Sequence, residues 1–471
     1  MDFAQLGRWN GRVDRRTYGL VGLVGFAIKH NIDRAIAMHF FPVGQTQLSA
    51  SFFNYWAPLG RAARLTHLSP TQSRFLGAML LAALPFIWIG LSMTVRRLRD
   101  AHQPPWLAAL FFVPFVNLVF FALLCVLPTE ANTEVRSRAG ARRLPFLDRV
   151  IPRSRTGSAV FAIALTSAIG LACVLLGATY AGAFGWSLFV GLPFCLGLFS
   201  VLTFSYHERR ELGECMAASI LPVGILALGL VAVAVEGVVC IVMAAPLALV
   251  LAALGGWAGY SIQAVRRLSG APTMMSIVLL ALPVSFGVER AVSLEPSAFV
   301  VRSAVEINAP PEMVWRQVIA FAEIPPPTEL LFRSGIAYPI RAEISGTGPG
   351  AVRRCVFSTG PFIEPIEVWD EPRLLRFSVA ENPAPLNELT PYGHIEPRHL
   401  HGYFASEHGQ FLLTPLPGGR TRLEGTTWCR DAIWPAAYWR AWSDYIVHRI
   451  HLRVLEHIKS EVEGASGLEY R

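Results

Sequence analysis

The chain has 471 residues, of which 53% are hydrophobic and only 16% are charged. Soluble domains contain about 25% charged residues, so this composition argues against a soluble enzyme. The formal net charge is +8, yet the residues from Phe299 onward hold 17 basic and 20 acidic side chains. The basic excess therefore belongs to the more apolar N-terminal part, where it indicates membrane topology and contacts with anionic lipids rather than nucleic-acid binding.

Residues 1–130 predict an N-terminal membrane domain with about three apolar segments, at 18–41, 75–95 and 106–127. The first segment is the weakest because Lys29, Asp33 and Arg34 interrupt it, and each charge at a bilayer centre costs about 2.5–3.5 kcal/mol. Lys29 and Asp33 are four residues apart on one face of a helix, so we expect them to pair.

Residues 131–156 form an Arg-rich polar linker, and residues 157–292 predict a domain of five membrane helices. No Lys, Arg, Asp or Glu occurs between 157 and 206, a stretch long enough for two spans of about 20 residues. A helical hairpin follows at 217–235 and 238–260, with Glu236 at its turn. Glu236 is also a candidate for a functional carboxylate inside the membrane. A further helix begins near residue 274.

The positive-inside rule gives these helices an orientation. If the Arg-rich linker is cytoplasmic, Arg209-Arg210 and Arg266-Arg267 are cytoplasmic too, because two crossings separate consecutive loops. Five segments follow the linker, so the C-terminal domain is expected on the non-cytoplasmic side. The reverse orientation would put all of these arginines outside. Arg96-Arg97-Leu98-Arg99 fits the favoured orientation only if the segment at 106–127 is re-entrant, or if the first 75 residues cross differently.

From Phe299 the pattern changes to short alternating strands separated by Pro and Gly, which predicts a soluble domain over 299–463. Its first strand covers 300–307, and Pro310-Pro311 suits the start of a helix. Pro417-Gly418-Gly419 predicts a hairpin turn, and an apolar stripe with helical spacing predicts a long helix over 435–462. The other predicted strands lie near 337–345, 351–358, 362–369, 373–380, 408–415 and 420–429.

This order of elements resembles the START-like SRPBCC superfamily, which includes polyketide cyclases and lipid-transfer domains. The closest match runs from Val305 to Trp315, where a strand leads through Ala309-Pro310 into an acidic-x-Val-Trp helix. The long C-terminal helix, which carries Trp439 and Trp442, is similar to the helix that the family's curved sheet grips. The resemblance implies a helix-grip domain, and together with the apolar segments it gives a multi-pass α-helical membrane protein with a C-terminal α+β helix-grip domain.

The N-terminal 130 residues resemble a bacterial inner-membrane family called domain of unknown function 805. Arg99 stands where the family usually has His, and His102-Gln103-Pro104-Pro105 replaces its Gly/Ser-rich step. The resemblance implies a location in the bacterial inner membrane. The matching residues are Gly11-Arg12, Arg15-Arg16, Tyr18, Arg96-Arg97-Leu98-Arg99-Asp100, Trp106 and Pro114.

Aromatic residues on the strands and the gripped helix, with two loop histidines, are the predicted ligand-binding residues. Which aromatic rings face the interior depends on the strand register. Arg353-Arg354 and Glu364/Glu367 are interpreted as solvated strand charges that could pair across strands. The predicted ligand-binding set is Phe357, Trp369, Phe377, His394, His401, Trp428, Trp442 and Tyr445.

The sequence predicts neither a cofactor nor a bound metal. The seven cysteines form no CxxC pair, which argues against a disulfide framework or a zinc site. Asp444, His448 and His451 have a spacing that could hold a metal as two His and a carboxylate, but residues at that spacing also form ordinary pairs on a helix surface. No nucleophile motif is present, and the Gly-rich stretch at 345–350 predicts a turn rather than a phosphate site.

We expect a membrane-anchored domain that binds or transfers a small apolar or lipid-like ligand. Its expected partners are the lipid bilayer and that ligand, with no nucleic acid. One alternative is an enzyme of the cyclase or hydrolase type that uses the loop from His394 to His401. Another is a membrane sensor or scaffold whose interior is filled by side chains. A transporter is less favoured because few polar groups occur in the apolar segments.

Overall fold

A computed structural model of the chain forms two compact units. The membrane unit holds the described residues up to 233 and those from 244 to 292. The C-terminal unit holds residues 234–243 and the described residues from 296 onward. The structure describes residues 6–41, 69–101, 103–112, 116–126, 145–177, 184–264, 271–292, 296–392, 395, 397–400 and 402–468.

The described membrane unit is helical. Within the described residues, five helices are long and apolar enough to cross a membrane: Pro70–Asp100, Arg155–Leu176, Ser187–Phe204, Leu212–Ala232 and Val238–Gln263. The helices are α1 (Arg15–Phe40), α2 (Pro70–Asp100), α3 (Val116–Val126), α4 (Pro145–Val150), α5 (Arg155–Leu176), α6 (Leu192–Phe204), α7 (Leu212–Ala232), α8 (Val238–Ala264) and α9 (Ala271–Val292). The first six residues of α8 belong to the C-terminal unit.

One predicted apolar segment is not a single helix. Residues 106–127 contain a 3-10 helix at Pro105–Phe112 and the separate helix α3. Pro114 lies between them and has no backbone N–H with which to continue a helix. Residues 113–115 themselves lie outside the described part of the chain.

Two pairs of opposite charges lie in the N-terminal helices, and pairing lowers the cost of a charge in an apolar setting. In α1, Lys29 Nζ lies 2.5 Å from Asp33 Oδ1, which confirms the pairing predicted from their spacing. In α2, Arg97 is fully buried and forms an ion pair with Asp100. Arg97 Nε also donates to the carbonyl of Leu124 in α3 at 2.9 Å. The Arg-x-x-Asp pattern at the end of α2 therefore joins two helices.

The C-terminal unit is built on a seven-stranded antiparallel sheet in the order β1-β7-β6-β5-β4-β3-β2. The strands are β1 (Ser297–Ile307), β2 (Pro339–Ser345), β3 (Val352–Phe357), β4 (Gly360–Asp370), β5 (Leu374–Ser378), β6 (Phe404–Leu416) and β7 (Arg420–Asp431). Helices α10 (Pro311–Ile319) and α11 (Leu330–Arg333) connect β1 to β2, and α12 (Ala436–Leu468) ends the chain. The predicted order of one strand, short helices, six strands and a long helix is confirmed.

Side chains along each strand point alternately to the two faces of the sheet, and one of these faces packs against α12. Along β7, Thr427 Oγ1 is hydrogen-bonded to His451 of α12, and Cys429 packs with Val447 of α12. Since successive side chains point to opposite faces, Trp428 lies on the face away from α12. Leu455 and Ile458 of α12 are fully buried against the inner face. Burying such a side chain contributes about 1.5–3 kcal/mol each.

The hairpin between β6 and β7 turns where the sequence predicts it. Gly418 and Gly419 have φ values of +81° and +71°, a left-handed conformation that glycine adopts without steric cost. Trp315 of α10 is 1% exposed and meets Trp369 of β4 edge to face, with ring centroids 5.9 Å apart. The helix that follows Pro310-Pro311 therefore covers part of the inner face.

Candidate ligand site in the C-terminal unit

Three of the predicted ligand-binding aromatic residues lie on the inner face of the sheet. Phe377 of β5 is buried in the main hydrophobic cluster, and Phe357 and Trp369 are half-buried against the same cluster. Phe357 also packs on Phe362 of the neighbouring strand, with ring centroids 4.7 Å apart. These three rings belong to the space between the sheet and α12, and their role in binding stays a prediction.

The other three aromatic residues lie elsewhere. Trp428 is on the outer face, where the guanidinium of Arg376 stands 5.9 Å from its ring centroid. Tyr445 of α12 is 52% exposed, and Trp442, also on α12, is half-buried. Period-two alternation indicates that β7 has two faces, but only strand pairing decides which face is inner.

The structure describes only two of the four histidines between residues 394 and 408, and these two lie on different elements. His394 and His401 lie outside the described residues. His408 is on strand β6 rather than in a loop, and its imidazole lies 3.5 Å from the exposed carboxylate of Glu367. His399 lies in a short 3-10 helix, Arg398–Leu400. No common site is formed by those of the four histidines that the structure describes.

A buried ion pair occupies the inner face. Arg353 of β3 is directly opposite Glu364 of β4, and both side chains are more than 90% buried. Arg353 Nη1 donates to Glu364 Oε2, and Arg353 Nε donates to the carbonyl of Ile319 at 3.3 Å. The sequence interpretation of both residues as solvated charges is therefore wrong, although the cross-strand pairing is right. The exposed charges are Arg354, one residue after Arg353, and Glu367, three residues after Glu364, and both lie on the outer face.

Aromatic rings surround the Arg353 guanidinium. Its central carbon lies 5.5 Å from the ring centroid of Phe321, 5.6 Å from that of Phe377 and 5.4 Å from that of Phe411. A guanidinium within about 6 Å of an aromatic ring face is attracted to it, and the attraction is stronger where water is excluded. The inner face thus offers a cation enclosed by apolar rings.

Three buried donors of this interior have no hydrogen-bond acceptor among the described residues. They are Nη2 of Arg353, Nε1 of Trp315 and, in the tautomer that protonates it, Nε2 of His457. His457 of α12 lies against the same Phe321 ring, with centroids 6.1 Å apart. A buried polar group without a partner costs about 1–3 kcal/mol, so such groups require an explanation.

A second polar group lies between β1, β7 and α12. Ser303 Oγ is 2.7 Å from His448 Nδ1 and 3.1 Å from His451 Nδ1. His451 Nε2 is in turn 2.7 Å from Thr427 Oγ1. The Ser303 hydroxyl can donate to one imidazole while it accepts from the other, so the four side chains form a chain of hydrogen bonds with two proton arrangements.

Burial lowers the pKa of His451 to about 4, and the neighbouring His448 adds to this effect. His451 is therefore neutral near pH 7 and has one N–H to donate. This geometry does not match a metal site of Asp444, His448 and His451, which their spacing alone would allow, because both imidazoles point their Nδ1 atoms at Ser303 and Asp444 is exposed.

The sequence did not predict that the residues of this site are buried and brought together. Arg353 and Glu364 occur within alternating strands, where a charged residue at every second position is typical of the solvated face. Ser303 lies more than 120 residues before Thr427 and His451, and no local pattern joins the three residues. The one available signal was Arg353-Arg354, because two adjacent charges in a strand must face opposite sides.

Comparison with protein families matches the membrane part of the chain. Residues 6–134 match the model of the family described as "Protein of unknown function (DUF805)". The DUF805 region includes α1, α2 and α3, and with them the ion pair between Arg97 and Asp100. The five apolar helices and this match show a multi-pass membrane protein. None of the curated proteins matches the chain.

Solved structures that match the chain cover its C-terminal part. The Zhui aromatase/cyclase from Streptomyces sp. R1128 is 19% identical, with 35% of this chain and 94% of that one covered and a TM-score of 0.25. The protein XoxI from Bacillus cereus is 15% identical, covering 36% and 97%, with a TM-score of 0.24. A truncated norcoclaurine synthase from Thalictrum flavum is 11% identical, covering 36% and 96%, with a TM-score of 0.24.

Proposed function

We propose that the C-terminal domain binds a small ligand that has an apolar body and a hydrogen-bond acceptor. The observation that carries the proposal is the buried Arg353 side chain, whose Nη2 has no acceptor among the described residues. Phe321, Phe377 and Phe411 surround its guanidinium. A carbonyl, carboxylate or phenol oxygen would satisfy the donor, while the rings would contact the apolar body.

Anchoring this domain to a membrane suits such a ligand. A molecule with a large apolar body partitions into the bilayer, since burial of apolar surface is favoured by about 25 cal/mol per Å². A domain tethered to apolar helices stays where that molecule is concentrated. This agrees with binding or transfer of a lipid-like compound, and the bilayer is then a partner of the protein as well as its anchor.

The test uses two probes of the same apolar body, 2-naphthoate and 2-methylnaphthalene, and the full chain in lipid nanodiscs. Equilibrium dialysis measures binding, and empty nanodiscs correct for partition into lipid. A hydrogen bond to a charged group contributes about 1.5–3 kcal/mol. We therefore expect the carboxylate probe to bind about 10- to 150-fold more tightly than the methyl probe.

The variant removes both charges, because Arg353→Met alone leaves Glu364 buried and unpaired. Arg353→Met with Glu364→Leu should abolish the preference for 2-naphthoate. The matched control is Arg354→Met, since Arg354 is the next residue of β3 and is exposed on the other face. An equal preference in the double variant and the control would contradict the proposal. Failure of both probes, with no small molecule released by lipid extraction of the purified chain, would favour the scaffold alternative.

A second candidate function is acid–base or nucleophilic catalysis at Ser303. The distance of 2.7 Å between Ser303 Oγ and His448 Nδ1 is that of a nucleophile and its base. His448 is only partly buried, whereas Ser303 is 5% exposed, so a substrate would have to enter between α12 and the sheet. Hydrolysis of 4-nitrophenyl esters by the wild-type chain, lost in Ser303→Ala and retained in His408→Ala, would support this function over simple binding.

We also propose that the protein lies in the bacterial inner membrane with its C-terminal domain on the non-cytoplasmic side. The Arg-rich segment before α5 and the Arg209-Arg210 pair after α6 support this orientation, since an even number of crossings separates them. On that side the domain would face ligands that approach from outside the cytoplasm.

A further inference from the structure

A compact group of metal-ligating side chains lies in the C-terminal unit, away from the inner face of the sheet. Glu236 is in the turn after α7, and Cys240 is in the first turn of α8. Glu388 follows β5, and His399 lies in the 3-10 helix before β6. One potential ligand atom from each of the four residues lies within 4.8 Å of those of the other three.

The imidazole of His399 is at the centre of this group. Its Nε2 is 3.0 Å from Cys240 Sγ, and its Nδ1 is 3.4 Å from Glu236 Oε1. In a tetrahedral zinc site, bonds of about 2.3 Å to sulfur and 2.0 Å to nitrogen put the two atoms about 3.5 Å apart. An ion would therefore need the sulfur and nitrogen atoms to separate by about half an ångström.

Backbone contacts hold the ligand-bearing segments together before any ion binds. Glu388 Oε2 accepts from the backbone N–H of Val239 at 3.2 Å, and Oε1 accepts from that of Cys240 at 3.3 Å. Val238 N–H donates to the carbonyl of Leu389 at 3.0 Å. A Cβ atom at Gly237 would lie 2.0 Å from Glu388 Oε2, so only glycine leaves room for this carboxylate.

Capping of α8 explains part of the arrangement but not all of it. A carboxylate at a helix N-terminus is stabilised by the exposed N–H groups and the helix dipole, which accounts for Glu388. It does not account for Glu236, whose side chain is 13% exposed and whose Oε2 is buried with no hydrogen-bond partner among the described residues. Two close carboxylates also repel one another, and a bound cation would remove that repulsion.

The donor set selects the type of ion. Mg²⁺ and Ca²⁺ prefer oxygen ligands only, whereas thiolate and imidazole ligands favour Zn²⁺. Four protein donors complete a tetrahedron, which is typical of structural rather than catalytic zinc. We propose that Glu236, Cys240, Glu388 and His399 bind one Zn²⁺ ion that joins the start of α8 to the segment between β5 and β6. This proposal differs from the sequence expectation of no metal.

The first experiment measures the metal itself in the full chain, purified in detergent without chelators. Elemental analysis should give one zinc per chain. After removal of zinc and addition of CoCl₂, a thiolate-to-cobalt charge-transfer band and visible d–d bands should appear. A protein that takes up neither ZnCl₂ nor CoCl₂ stoichiometrically would overturn the proposal, because His399 and Cys240 would then form only a hydrogen-bonded pair.

Variants separate this site from adventitious binding. Substitution of residues that only support the metal ligands weakens metal affinity by about 10- to 100-fold. Cys240→Ser removes a ligand, so it should weaken Zn²⁺ binding by more than about 100-fold and remove the charge-transfer band. His399→Ala should weaken Zn²⁺ binding similarly. The matched controls are Cys173→Ser in α5 and His408→Ala at an exposed position of β6, and both variants should bind Zn²⁺ as the wild type does. Equal binding by Cys240→Ser and the wild type would refute the site.

Two measurements keep the test valid if a ligand variant folds poorly. In the wild-type chain, Zn²⁺ should protect Cys240 from maleimide, which mass spectrometry of the labelled peptide detects. Gly237→Ala keeps all four ligands but displaces Glu388, so it should weaken Zn²⁺ binding while the cobalt band persists at higher CoCl₂. Maleimide labelling of Cys240 at the same rate with and without Zn²⁺ would count against the proposal. The site does not depend on ligand binding by the inner face, so the two proposals can fail separately.

Discussion

Replacing one partner of the ion pair between Arg353 and Glu364 is expected to destabilise the sheet far more than replacing both partners. Both side chains are more than 90% buried, so Arg353→Met leaves a carboxylate in an apolar cluster with no counter-charge. Loss of one partner of such a pair costs about 3–5 kcal/mol. Replacement of both by apolar residues of similar volume is close to neutral or stabilising by about 1–4 kcal/mol.

Hydrogen exchange measured by mass spectrometry on the full chain reports this cost locally. Each 1.4 kcal/mol is a factor of ten, so amides of β3 and β4 should exchange about 100- to 4,000-fold faster in Arg353→Met. They should exchange at nearly the wild-type rate in Arg353→Met with Glu364→Leu. Arg354→Met, on the exposed face, should leave the rates unchanged. If the single and double variants were equally destabilised, the loss would come from packing of the Arg353 stem and not from an unpaired charge.

Further predictions concern buried titratable groups and membrane orientation. Burial raises the pKa of Asp431 from 3.8 to about 6. The protonated carboxyl group therefore stabilises the folded state at low pH, and this stabilisation is lost as pH rises through 6. Asp431→Asn should therefore raise the free energy of unfolding by about 3 kcal/mol at pH 7 and by nothing near pH 3.5, measured by hydrogen exchange of β7. Burial and the neighbouring His448 lower the pKa of His451 to about 4. The effect on the free energy of unfolding is the opposite, because the stability present above pH 6.5 is lost as pH falls toward 4. His451→Gln should remove this loss of about 3 kcal/mol, and a variant with the wild-type pH profile would show that another group titrates. A cysteine placed at exposed Arg354 should react with a membrane-impermeant maleimide in intact spheroplasts, and labelling only after lysis would place the domain in the cytoplasm.

The local sequence pattern was sufficient to predict the strands and the long helix of the C-terminal domain. Alternation and punctuation by Pro and Gly predict the strands within a few residues, because each strand has one wet and one buried face. The turn at Gly418 and Gly419 follows from the conformations that only glycine adopts freely. The spacing of Lys29 and Asp33 predicts their pairing for the same reason: the geometry is contained within one turn of helix.

The sites depended on contacts that no local pattern contains. The face on which Trp428 lies is fixed by its pairing with β1 and β6, and a shift of one residue would reverse it. Arg353 and Glu364 appear as ordinary strand charges until the pairing of β3 with β4 places both on the inner face. Glu236 was predicted in a turn, where the structure has it, but its neighbours Glu388 and His399 follow about 150 residues later in the chain.

The position of β1 at an edge of the sheet has a consequence for biosynthesis. β1 begins five residues after α9 ends, yet its only neighbour among the described strands is β7, and Ser297 pairs with Asp431. Chains emerge from the ribosome N-terminus first, at about 5–20 residues per second, so β1 remains unpaired for at least several seconds while the intervening strands are made. An unpaired strand of this length is a template for aggregation. Because β1 follows helices that are already inserted in the bilayer, this unpaired strand stays beside the membrane until the last strand arrives.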